Sequence, residues 1–190
     1  MNISYLATSI QVNNYLTGQG YEAASDPNFQ DNINLYRLSA HSKICDYLGY
    51  EIITTDYIDE YYDGGSGVRK MYLNNRPVTA LTTIKLDDVE VDRSDYKLVN
   101  GAYIFCPGNW FESGENIYSI TYTAGYTQST MPAVIRMAAL KLIALDNAQI
   151  GGAGTTIGMS SISDGSGSSS SVDFEAEDRI LKTLDKYRIW

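Results

Sequence analysis

ITYTAGYTQSTMPAVIRMAALKLIA, residues 120–144, carries two periodicities side by side, and the change between them decides the fold. Residues 117–123, IYSITYT, are β-branched and aromatic, the composition of a strand, and Gly125 and the polar run after it break that pattern. Pro132 then opens PAVIRMAALKLIALDNAQ, where the only charged residues before Asp146 are Arg136 and Lys141. Proline suits a first helical turn, and a helix so poor in polar residues must be covered on nearly every side. A domain of this size has little core to spare, so a second copy of the chain is the expected source of part of the cover. Ile135, Ala139, Leu142 and Ile143 are the candidate subunit-interface residues.

Upstream, a short helix is expected over 9–16 and a long one over 26–49. Asp26 and Pro27 supply an N-cap and a first-turn proline. Ile33, Tyr36, Ala40, Ile44, Tyr47 and Leu48 recur at helical steps, and Gly49 supplies a left-handed stop. Between 51 and 127 the chain turns to short β-rich runs, VRKMYL, VTALTTIKL, YKLV and AYIFC, separated by turn residues such as Asn100-Gly101. An antiparallel meander inserted between helices is predicted. The fold class is α+β, with helices from both halves of the chain packed together around that insertion, and a connector core over 1–150 with its last helix at 132–148.

Residues 151–172 hold six Gly and eight Ser. Such a composition offers little to bury against its ordering entropy, so a flexible linker is expected, with a coil span of about 25 Å and a taut reach of about 75 Å. Residues 173–190, DFEAEDRILKTLDKYRIW, place acids early and bases late, as a helix dipole favours. Phe174, Ile180, Leu181, Leu184, Tyr187, Ile189 and Trp190 are too many large apolar groups for a solvated tether, so this tail is predicted to dock on a partner.

Bulk properties narrow the function. With 14 Lys and Arg against 23 Asp and Glu, the net charge of -9 disfavours a protein that grips nucleic acid. Cys45 and Cys106 lack metal or redox spacing and read as ordinary thiols of a reducing compartment. Neither a signal peptide nor a membrane span is expected. The single histidine, His41, has no second histidine with which to build a metal site or a triad, and nucleotide-binding glycine motifs are missing. Two acidic groups, Asp56/Asp59/Glu60/Asp63 and Asp87/Asp88/Glu90/Asp92/Asp95, lack the spacing of a calcium loop and read as solvated turns. No catalytic residue, cofactor or metal is expected. Tyr57, Tyr61 and Tyr62 could stack on sugars, which leaves a carbohydrate-binding module as the reading from a different class.

In order and spacing the segments resemble the head-tail connector, or adaptor, family of tailed phages, in the longer form with a β insertion. LSAHSKICDYLGYEI (38–52) is similar to its first long helix and stop. MYLNNRPVTALTTIKLDDVEV (71–91) is similar to its Leu-x-x-x-Pro-Val segment, carried here by Leu73, Pro77 and Val78. The strand ending in Tyr122-Thr123-Ala124-Gly125-Tyr126, followed by the Pro132 helix, is the strongest likeness. The resemblance implies a structural virion protein of the neck, assembled in the host cytoplasm as a ring of about twelve copies. It implies as partners the portal protein, a downstream head-closure or tail protein, and passing DNA that is not read in sequence. A neck or tail-completion protein is the nearest alternative.

Overall fold

A computed structural model describes residues 6–149, 159–164, 167–172 and 175–188. Among them are the helices α1 (Ser9–Gly18), α2 (Pro27–Leu48), α3 (Ala133–Gln149) and α4 (Ala176–Lys182). The strands are β1 (Thr55–Gly64), β2 (Lys70–Tyr72), β3 (Val78–Leu86), β4 (Val89–Glu90), β5 (Lys97–Val99), β6 (Tyr103–Phe105), β7 (Gly114–Ala124), β8 (Met159–Asp164) and β9 (Gly167–Val172). The chain divides into a helical unit, residues 1–49 with 131–190, and an inserted β unit, residues 50–130. This is the α+β arrangement expected from the sequence.

Local chemistry sets the helix ends. Thr8 and Gln11 form a reciprocal capping box at α1. The Asp26 carboxylate accepts from the backbone N–H of Asn28 at 2.9 Å and of Phe29 at 3.3 Å, Pro27 occupies the first turn of α2, and Gly49 closes it at φ 83°. The buried stripe of α2 is Phe29, Ile33, Tyr36, Ala40, Ile44 and Leu48, while Tyr47 lies half-buried beside it.

α3 is the centre of the helical unit. α1, α2 and α4 all pack on it, so its all-round apolar sequence is satisfied largely within the chain. A second copy, expected to supply part of the cover, is needed for less of it, because the chain's own last helix packs there together with the first two. Its outward stripe among the described residues is Ala133, Met137 and Lys141.

Two more expectations change here. Residues 159–164 and 167–172, expected to be part of a flexible linker, pair as an antiparallel hairpin in register from Met159 opposite Val172 to Asp164 opposite Gly167. A ladder forms between main-chain groups and needs no apolar side chain, which is why composition alone did not signal it. The remainder of that linker, 151–158 and 165–166, lies outside the described residues. The expected helix over 173–190 is shorter, a seven-residue α4 followed by a single 3-10 turn at Asp185–Tyr187.

The β unit is not a simple meander. Its strands form a four-stranded sheet ordered β1-β7-β3-β4 and a three-stranded sheet ordered β2-β6-β5, antiparallel throughout, with the first strand paired to the last. The sheets share one core, to which the four-stranded sheet gives Leu81, Ile84, Tyr118, Ile120 and Tyr122 and the three-stranded sheet Met71 and Ile104. Asn100 and Gly101, both at positive φ, make the tight β5–β6 turn read from the sequence, and Asp87 and Asp88 do the same between β3 and β4.

The Tyr122–Tyr126 motif now has a physical explanation. Gly125 sits at φ 105°, its N–H donates to the Pro77 carbonyl at 2.9 Å, and the Tyr126 N–H donates to the Ile52 carbonyl at 2.7 Å. A β-carbon on Gly125 would lie 2.6 Å from the Ile53 carbonyl oxygen, so both the conformation and the close approach require glycine.

Candidate interaction surfaces

Several of the groups that could carry chemistry have structural partners. In α2, His41 Nε2 lies 3.4 Å from Cys45 Sγ one turn on. In the β unit, Asp59 sits at φ 51° in a bulge of β1, where one carboxylate oxygen accepts from Lys85 Nζ at 2.8 Å and from Ser119 Oγ at 3.2 Å. The hydrogen bond from Lys85 leads the effects that hold the Asp59 carboxyl below its ordinary pKa. Glu60 accepts from the hydroxyls of both Tyr62 and Tyr122 and, at 3.1 Å, from Asn74 Nδ2. Asp63 accepts from the Asn116 N–H at 2.8 Å, and Asp92 accepts from that of Ser94 at 2.8 Å. These carboxylates fix turns and bulges. A groove of about 420 Å³ beside Trp110 brings Asp95 and Glu112 together with Tyr96, Cys106 and Tyr118, but no histidine lines it.

The tyrosine cluster is split by the pleat. Tyr57 stacks on Tyr122 with ring centroids 5.1 Å apart, and Tyr62 is buried beside them, whereas Tyr61 points out. Burial pushes the Tyr62 hydroxyl up, and burial together with the Glu60 contact pushes Tyr122 up to about 12. The three side chains therefore do not form one sugar-stacking face.

Every described residue of the two predicted docking sets is accounted for in the helical unit. Ile135, Ala139, Leu142 and Ile143 are at most 1 % exposed. The exposed positions of α3 are Ala133, Met137 and Lys141. In the tail, Leu184 is fully buried, Leu181 and Ala176 nearly so, while Ile180 and Tyr187 are half-buried. Phe174, Ile189 and Trp190 lie outside the described residues.

Polar contacts fasten the tail. Lys43 on α2 reaches Asp146 of α3 at 2.7 Å and Glu177 of α4 at 2.8 Å, and Ser39 Oγ donates to the other Asp146 oxygen at 2.9 Å. Burial opposes the Lys43 charge, yet the two carboxylates outweigh it and hold its pKa above the ordinary lysine value. The Tyr47 hydroxyl donates to Asp185, and the Arg188 guanidinium stacks 4.8 Å over the Tyr47 ring.

One surface went unread in the sequence. Across the three-stranded sheet, Lys70, Phe105 and Lys97 stand opposite one another in one row, and Tyr72, Tyr103 and Val99 in another. The row between them, Met71, Ile104 and Leu98, belongs to the core, so these two rows face outward. Lys70 Nζ lies 5.2 Å from the Tyr103 ring centroid, the Arg76 guanidinium 5.5 Å from that of Tyr72, and the two tyrosine rings are 5.3 Å apart. Alternation in Lys70-Met71-Tyr72 and Tyr103-Ile104-Phe105 was the available signal, but only the register reveals that both sets share a face.

No curated protein sequence matches the chain. Two solved structures share its fold over nearly its whole length. A chain from "Neck of native GTA particle computed with C12 symmetry" is 15 % identical with a TM-score of 0.56, the match covering 100 % of this chain and 96 % of that one. A chain from "Neck of empty GTA particle computed with C6 symmetry" is 16 % identical with a TM-score of 0.59, covering 99 % and 94 %. The family model described as Head completion protein matches residues 8–149, which takes in the first three helices and the whole β unit. The chain thus belongs to the head completion protein family and serves as a structural protein of the head-tail connection.

Proposed function

We propose that this protein is a non-catalytic joint of the virion neck that forms a closed ring of about twelve copies beneath the portal protein and passes the assembly on to a downstream head-closure or tail protein. The observation that carries the reading is the whole-length likeness to chains in particle necks computed with C12 and C6 symmetry, joined to the family match. The structural roles of the carboxylates favour a scaffold over an enzyme. A net charge of -9 suits a conduit, because an acidic wall repels passing phosphates instead of holding them through counterion release. Half-buried Ile180 and Tyr187, with Phe174, Ile189 and Trp190, are the tail residues proposed to meet the portal. Leu181 and Leu184 are assigned instead to the chain's own packing.

Co-sedimentation of the full chain with purified portal assemblies tests this. Saturation near one copy per portal subunit is the expected result, and failure to pellet with portal at micromolar concentration would overturn it.

A further inference from the structure

We propose that the aromatic and basic outer face of the β2-β6-β5 sheet docks on the acidic outer face of the β1-β7-β3-β4 sheet of a second copy, so that copies join head to tail. The inference rests on the ring reading above and names the surfaces that would build it.

Because the two sheets share a core, their outward rows lie on opposite sides of the β unit. One side carries Lys70, Lys97 and Arg76 around Tyr72, Tyr103 and Phe105, and its three strands contain no acid. On the other side, β1 presents Asp56, Asp59 and Asp63, and Glu90 of β4 stands opposite Lys85. Asp88 joins that side through the hydrogen bond it accepts from the Tyr61 hydroxyl at 3.3 Å. Lys85, tied to Asp59 at 2.8 Å, neutralises that one carboxylate and leaves Asp56, Asp63, Asp88 and Glu90 as the net acid of this side.

Both faces also offer apolar area. Ile58 is 75 % exposed and Tyr61 53 % on the acidic side, and Tyr72 is 56 % exposed on the basic side. Large groups left in water beside opposite charges match the usual make-up of an interface, aromatic and arginine-rich at its centre. A contact between two different faces of identical chains is heterologous, and it closes into a ring when each step rotates by a fraction of a turn, about 30° for twelve copies. The chain carries both halves of such a contact.

An aromatic platform flanked by lysines would also suit a nucleic-acid strand. The second copy is favoured because the complementary acidic surface is on the same chain, and because a net charge of -9 opposes the approach of a phosphate backbone.

The test uses the full chain in sedimentation velocity at low ionic strength, with circular dichroism confirming the fold of each variant. The parent should self-associate. Lys70→Glu/Lys97→Glu and Asp56→Lys/Glu90→Lys should each weaken self-association by about tenfold or more, since each sets like charges face to face. An equimolar mixture of the two variants should associate again, because every junction of an alternating assembly then pairs opposite charges. Variants that associate as the parent does, or a parent that stays monomeric, would overturn this inference, while the ring reading stands or falls separately on co-sedimentation with portal. Failure of the mixture to recover, or loss of single-stranded oligonucleotide binding in the lysine variant with self-association unchanged, would assign the face to another partner and overturn the proposal.

Discussion

Leu184→Ala tests whether the tail is part of the core or a free hook. Leu184 is fully buried, just beyond an α4 that packs on α3, and Leu181 is 7 % exposed one turn earlier. Truncating a buried leucine removes its transfer free energy and leaves a cavity, which costs about 2–5 kcal/mol in well-packed sites. A seven-residue helix close to the chain end can close in partly on the gap, so a loss of about 2–3 kcal/mol is expected. With a urea dependence of about 2 kcal/mol per molar, the midpoint should fall by about 1–1.5 M, read at 222 nm where the helical unit dominates. If the tail were undocked in the free protein, the same change would be worth under about 0.5 kcal/mol, as at an exposed site. An unchanged midpoint would refute the packing of α4 on α3 and return Leu181 and Leu184 to the partner-binding set. Lys182→Ala, at an exposed position of the same helix, is the control and should leave the midpoint in place.

Gly125→Ala should destabilise the β unit by at least about 2 kcal/mol in thermal unfolding, through strain at positive φ and collision with the Ile53 carbonyl. Asp26→Ala removes the cap of α2 and should cost about 1 kcal/mol in urea unfolding. Burial, aided in Tyr21 and Tyr122 by a carboxylate hydrogen bond, raises the pKa of Tyr21, Tyr96 and Tyr122 to about 12. Raised folded-state values contribute stability that is complete below the ordinary tyrosine pKa, so melting temperature should hold up to about pH 10 and fall between about pH 10 and 12. At the acid end, Asp26, Asp59 and Asp92 have lowered values, led respectively by the hydrogen bonds from Tyr21, from Lys85 and from the Ser94 backbone. Their contribution is present above about pH 4 and should be lost as pH falls further, which the same melts would show.

What the sequence revealed was local. Asp26, Pro27 and Gly49 mark the ends of α2 by the chemistry of a few adjacent residues, and Asn100-Gly101 marks its hairpin by its tolerance of positive φ. The strand-to-helix change at 120–144 was visible as a change of period. Pairing of β1 with β7 was not, because it joins segments some sixty residues apart and no local signal fixes such a register. The same ignorance hid the basic face, since Lys70, Lys97 and Tyr103 become neighbours only once β6 lies between β2 and β5. Taken alone, an apolar tail points to an outside partner, and an all-round apolar helix to an outside source for part of its cover. The fold resolves a large part of both by placing α4 on α3.

Direct imaging of the full chain bound to portal assemblies tests for a closed ring at the neck. The expected image is a continuous annulus coaxial with the portal, with rotational symmetry of about twelvefold in end-on averages. Isolated monomers scattered over the portal surface, or density that never closes around its axis, would contradict it.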